Sequence, residues 1–410
     1  MNHQNMEKNT QMQKKVCFLH MELSRREIPF LQKEFKDEAE KQAYEKYQRN
    51  IAACRAKEQE EELRVLRAYG KLKYDKTITR DIIVPEEMPL YAVHYMIQRA
   101  FGWQNSHLHR FRLPEERFLK ITEGKAARWL DLMGVLFSSP LMDDEERFWA
   151  DDYESGSFRN WLRRKYTGPY ISLNYHEGIV PCSLDKKYIL QKWPETEEKP
   201  VQNIFEMFEE DPNQLLERLP IGQVLASATE KNADKTELAD SFESFLDSSL
   251  KAEIFTILES DKDDPAIQPS VKCCTDMLCY EYDFGDGWFI EITARDGCDG
   301  LLRSSRVKAA DVDNAVRTVC EENRPVCIAS DGLPVLDDVG GIDGYVRFLR
   351  GINKQSEWAY WAAKVAEEGR SKEEIPERIP DNWDYDNEDS VEWAASLGWT
   401  GRMSRPEKLL

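Results

Sequence analysis

The chain has 410 residues, 41% of them hydrophobic, and carries 56 Lys+Arg against 76 Asp+Glu, a formal net charge of −20. That length suffices for two or three compact units with a sizeable core, and a field of that sign repels phosphate backbones and anionic lipid surfaces, which disfavours generic nucleic-acid coating unless a local basic patch overrides the average. Nine cysteines without a repeated CxxC spacing argue against a disulfide framework and a zinc ribbon, and a reducing cytoplasm is the expected setting.

In chain order, residues 1–60 read as a helical arm. The opening MNHQNMEKNTQMQKK is polar, the apolar run VCFLHMEL is too short and interrupted for a signal peptide or membrane span, and no membrane partner is expected. From Gln32 to Arg67, Lys, Glu, Gln, Arg and Ala dominate without Pro or Gly, a helix-favouring composition. Leu63–Tyr74 and Thr77–Val84 read as a strand pair. PLYAVHYMIQRAFGW then places Leu90, Val93, His94, Ile97, Ala100 and Phe101 on one helical face, and Gly102 stops the helix ahead of Trp103. HLHRFRL alternates with period two, putting His107, His109, Phe111 and Leu113 on one face of a strand and Leu108, Arg110 and Arg112 on the other.

Residues 114–270 read as a mostly helical, acidic insertion, with GPYISLNYHEG as its one expected strand and SFRNWLRRKY as its one basic-aromatic cluster. In residues 271–352 the β character returns. Leu278–Phe284 and Trp288–Ala294 read as strands joined by Gly285-Asp286-Gly287 in a tight hairpin turn. Gly340-Gly341 leads into a short helix bearing Tyr345, Phe348, Leu349 and Ile352 on one face, with Asp343 the expected N-cap. Residues 353–410 read as a helical, acidic tail. The fold class is therefore α+β: a mainly antiparallel sheet with packed helices.

Three blocks, IIVPEEMPLYAVHYMIQRAFGWQNSHLHRF (82–111), YEYDFGDGW (280–288) and PVCIASDGLPVLDDVGGIDGYVRFL (325–349), together resemble the plasmid pRiA open-reading-frame-three-like family. Its members are often labelled insertion-element passenger "TnpR family" proteins. The resemblance implies a compact α+β domain split across 61–113 and 271–352, and a mobile-element association without an established reaction. Two positions depart from the family pattern: Ile290 stands where relatives carry a histidine, and Pro334-Val335-Leu336-Asp337-Asp338 stands in place of Cys-Pro-Pro-Glu-Asp.

Asp283-Phe284-Gly285 matches the kinase magnesium triplet, but no Gly-rich loop, HRD segment or APE accompanies it at workable spacing, so it reads as part of a turn. Gly102, Trp103, Gly285, Trp288, Asp338, Gly340, Gly341 and Tyr345 read as the structural motif. A ligand or metal pocket is expected from His107, His109, Asp283 and Asp286, with Asp337 or Asp338 contributing, because imidazole and carboxylate suit zinc, manganese or iron. His94, on an apolar stripe, reads as a packed residue. Arg159, Trp161, Arg163 and Arg164 are the candidate nucleic-acid contacts, since aromatic stacking with Arg holds single strands. The leading expectation is an accessory or protein-interaction module without catalysis and without a cofactor. The alternatives are a metal-dependent hydrolase or nuclease and a nucleic-acid-associated factor, although the net charge disfavours nucleic acid.

Overall fold

The computed structural model describes residues 16–25, 38–140, 182–217, 219–226, 274–367 and 387–406. In chain order these form β1 (Val16–Ser24), α1 (Glu38–Ala68), β2 (Thr79–Pro85), α2 (Leu90–Phe101), β3 (His109–Arg112), α3 (Glu115–Thr122), α4 (Ala126–Leu132), α5 (Cys182–Lys192), α6 (Asn203–Phe208) and α7 (Ile221–Val224). There follow β4 (Met277–Tyr282), β5 (Trp288–Arg295), α8 (Asp299–Arg303), α9 (Ala309–Glu322), β6 (Val326–Asp331), α10 (Gly341–Ile352), α11 (Lys354–Glu367) and α12 (Asn387–Ser396). The fold is α+β, built on one six-stranded sheet of order β3-β4-β5-β1-β2-β6 in which every neighbouring pair is antiparallel.

Two sequence expectations change here. Val16–Ser24, placed in a helical arm, is a strand inside the sheet, paired to β2 on one side and β5 on the other. Its Leu19, Met21 and Leu23 are buried while His20, Glu22 and Ser24 alternate with them, so the period-two signal lay within VCFLHMEL. Leu63–Ala68, expected to begin a strand, instead ends α1, where Val65 and Leu66 give the helix its buried turn.

One face of the sheet meets α2, buried along nearly its whole length, and most of the core lies there. The helix follows Pro89, which has no N–H to lose at that position, and ends at Gly102 with φ 96. A side chain at Gly102 would place a Cβ 2.7 Å from Pro334 Cβ, so the stop also admits the returning 333–336 segment. The opposite face is covered over β1 and β2 by α9, through Val16, Ile83, Ala315 and Val319. On that face at the β3 end, Arg110 and Arg112 converge on Glu281, with Arg112 Nε also 2.9 Å from Asp211.

The described parts of 114–270 share the main core: Phe118, Trp129, Phe137, Ile189, Leu215 and Leu219 join it. Leu215 N–H donates to Phe111 O (2.9 Å) and Leu90 N–H to Leu219 O (3.0 Å), fastening this segment to β3 and α2. GPYISLNYHEG and SFRNWLRRKY lie outside the described residues. At the other end, α10 carries Tyr345, Phe348 and Leu349 inward, and Trp399 stacks edge-on to Phe348 at 5.2 Å.

Gly344 and Gly341 fix the start of α10. A Cβ on Gly344 would collide with Val339 O, and one on Gly341 with Asp286 O. Asp343, the expected N-cap, makes no cap bond; the cap position is Gly340 in the left-handed region, and the Asp343 carboxylate instead grips the Arg25 guanidinium at 2.6 and 2.7 Å.

Candidate metal centre

Three loops at one end of the sheet build the site: 102–108 ahead of β3, 283–287 between β4 and β5, and 332–340 ahead of α10. In the first, Asn105 has φ 56, its N–H donates to Gln98 Oε1 (2.9 Å), and its side-chain oxygen accepts from His94 Nε2 (2.7 Å). In the second, Asp283 has φ 51 and its own carboxylate accepts the N–H groups of Gly285 and Asp286 at 3.1 and 3.2 Å, a local bond that Asp offers readily. The turn is thus a five-residue loop whose left-handed residues are Asp283 and Gly287, rather than a tight turn on Gly285. In the third, Asp338 has φ 56 and Gly340 φ 82.

These loops bring His107, Asp283 and Asp338 together, with one ligand atom from each lying within 4.8 Å of the others. His107 Nε2 is 3.1 Å from Asp338 Oδ1 and 3.5 Å from Asp283 Oδ2. Two donors about 2.1 Å from a common ion sit about 3.0–3.4 Å apart in octahedral or tetrahedral geometry, so the two His107 spacings are close to those of a cation site. The side chains are 28%, 10% and 58% exposed for His107, Asp283 and Asp338, which leaves one side open to water or substrate. One imidazole and two carboxylates form a donor set for zinc, manganese or ferrous iron. Both carboxylates of the cluster belong to non-glycine residues at positive φ, a conformation that persists where the surroundings over-determine it.

The expected pocket is therefore redrawn. His109 points away from the cluster: its Nε2 is 2.9 Å from Glu217 Oε1, and its ring stacks on His94 at 3.5 Å and 9°. Asp286 is a strap, its Oδ2 accepting the N–H groups of Val339 (3.0 Å) and Gly340 (2.8 Å), so it ties the hairpin to the Gly340-Gly341 loop. Asp338, read both as part of the structural motif and as a possible contributor to the pocket, is the third member of the cluster. Asp337 is buried beneath the cluster, where its Oδ2 accepts Gln104 N–H at 2.7 Å, and burial pushes its carboxyl up to about 6. Trp103, Trp288 and Tyr282 form a buried aromatic group under the loops, with centroids 5.4 Å apart for the two indoles and 4.9 Å for Trp103 and Tyr282. Tyr345 donates to Pro334 O at 3.1 Å. Ile290 is fully buried on β5, opposite Tyr280. Arg159, Trp161, Arg163 and Arg164 lie outside the described residues.

Beside the cluster lies a buried polar network that sequence reasoning missed. His94 Nδ1 accepts from the Tyr280 hydroxyl (2.8 Å), Gln98 Nε2 donates to the same hydroxyl (3.0 Å), and His109 adds its stack and Glu217. Burial, reinforced by the neighbouring His109, holds His94 well below the usual imidazole range, so it is neutral and fits its one donor and one acceptor role. Burial likewise raises the Tyr280 hydroxyl well above its ordinary value. The available signal was His94 and Gln98 four residues apart on one face of a buried helix.

Among the described residues no helix is long and apolar enough to cross a membrane. The crystal structure of a protein of unknown function, MM3350 from Methanosarcina mazei Go1, is similar at 13% identity over 96% of this chain and 97% of that chain, with a TM-score of 0.28. No curated protein matches. Residues 44–160 match the family model described as plasmid pRiA4b ORF-3-like protein, the family to which the three motif blocks pointed, and the first of those blocks lies wholly inside the matched segment.

Proposed function

We propose that this protein binds a divalent cation through His107, Asp283 and Asp338, with its remaining coordination positions turned to solvent. The observation that supports this reading is the convergence of three donors from three separate loops, two of them held at positive φ, on spacings of 3.1 and 3.5 Å. A cation there would act as a Lewis acid toward a carbonyl or phosphoryl oxygen, or lower the pKa of a bound water, which is hydrolase-type chemistry. It would also cross-link three loops that are distant in the chain, those of residues 107, 283 and 338, and the net charge of −20 favours cation capture.

The test is a thermal melt of metal-stripped protein against added Zn²⁺ or Mn²⁺. A ligand at a hundred times its Kd stabilises by about 2.7 kcal/mol, so the wild type gains several degrees, and Asp338→Asn loses the gain. An unmoved melt at every concentration contradicts the reading. A bound cation without hydrolysis of ester or phosphoester substrates would make the ion a fastener within the accessory module expected from the sequence. That second reading draws support from Leu108 and Phe284, 50% and 47% exposed at the tip of the β3 and β4 pair beside the cluster.

A further inference from the structure

The residue before each ligand belongs to one hydrogen-bonded group beneath the site. Ser106 precedes His107, Tyr282 precedes Asp283, and Asp337 precedes Asp338. Ser106 N–H donates to the Tyr282 hydroxyl at 3.1 Å, the Ser106 hydroxyl reaches Asp337 Oδ2 at 3.5 Å, and the Tyr282 hydroxyl lies against the Asp337 carboxylate. Asp337 also takes Gln104 N–H at 2.7 Å, so this single carboxylate holds the His107 loop at two points while its own main chain continues into Asp338. Asp337 is only 2% exposed and does not enter the ligand set, and a buried carboxylate is expensive unless its bonds are used.

We propose that Asp337 is the positioning residue of this centre, setting the His107 imidazole against Asp338 through the 104–106 backbone. This rests on the cation reading for its consequence but not for its geometry. Groups behind metal ligands typically change affinity 10–100-fold when removed. Asp337→Ala should therefore weaken Zn²⁺ binding by about 10–100-fold and shift the His107 ring resonances in NMR spectra of the metal-free protein. Asp337→Asn keeps an oxygen for Gln104 N–H and should restore most of both, a rescue that loss of bulk packing would not give.

Asp337→Ala with Zn²⁺ affinity and His107 resonances unchanged overturns the proposal. If the wild type binds no Zn²⁺, the cation reading fails alone, and the metal-free His107 resonances still decide the positioning role: displaced in Asp337→Ala and restored in Asp337→Asn they uphold it, unmoved they end it. Should Asp337→Ala not fold, Tyr282→Phe removes the hydroxyl between Ser106 and Asp337 with little change in volume. It should displace the same resonances, and their constancy would count against the proposal equally.

Discussion

His107 and His109 stand two residues apart and lead into one strand, yet they meet different environments. His109 is the first residue of β3 and is carried inward by the pleat, onto His94 and Glu217. His107 precedes the strand, in a loop pinned from below, and swings to Asp283 and Asp338 at the water boundary. Strand alternation predicts a shared face only while the ladder continues, and here the ladder begins at His109. The buried histidine serves packing and polar satisfaction; the part-exposed one has a carboxylate on either side and room for a ligand.

The largest effects are expected at the glycines that position the exposed cluster. Gly344→Ala drives a methyl into Val339 O, and a loss of more than about 4 kcal/mol is expected, read as failure to fold or a collapsed denaturation midpoint. Gly341→Ala combines φ 66 with a clash on Asp286 O and should cost roughly 3 kcal/mol. Normal stability in either variant would mean that the loops under the site are not fixed as described.

Next in size is the buried network. His94→Leu leaves the Tyr280 hydroxyl without its acceptor and the Asn105 side-chain oxygen without its donor, and should cost roughly 2–4 kcal/mol in chemical denaturation. His107→Ala, in metal-free protein, should cost less than about 1 kcal/mol, because its ion pairs are partly exposed and screened. Equal costs would erase the distinction between the two regions.

A gentler probe is pH. The folded state holds His94 neutral well below the usual imidazole value, so in acid the unfolded chain takes up a proton that the folded one refuses. Stability attributable to His94 is thus fully present above about pH 6.5 and falls as pH drops below it, by at most about 1.4 kcal/mol per pH unit. His94→Gln should flatten that slope in melts taken from pH 7 to 5, and an unchanged slope would place the proton uptake elsewhere.

Much of the frame was legible from the chain. The alternation of HRFR, the aromatic strands around Trp288 and the stop at Gly102 are local signals, and local physics decided them. β1 was missed although Leu19, Met21 and Leu23 alternate, because its partners β2 and β5 are distant in sequence and nothing nearby marks a hairpin. The candidate cluster was half legible. His107 and Asp283 were named from residue type and loop position, but the choice of Asp338 over Asp286 depends on how two loops over 50 residues apart meet. Asp286 is spent on Val339 and Gly340 N–H groups, a use visible only after folding.

The most direct test of the central claim is metal content per chain in protein purified without a histidine tag, compared between wild type and His107→Ala. Close to one divalent ion per wild-type chain is expected after loading with Zn²⁺ or Mn²⁺ and desalting, and almost none in the variant. Equal metal in both, or none in either, would contradict it.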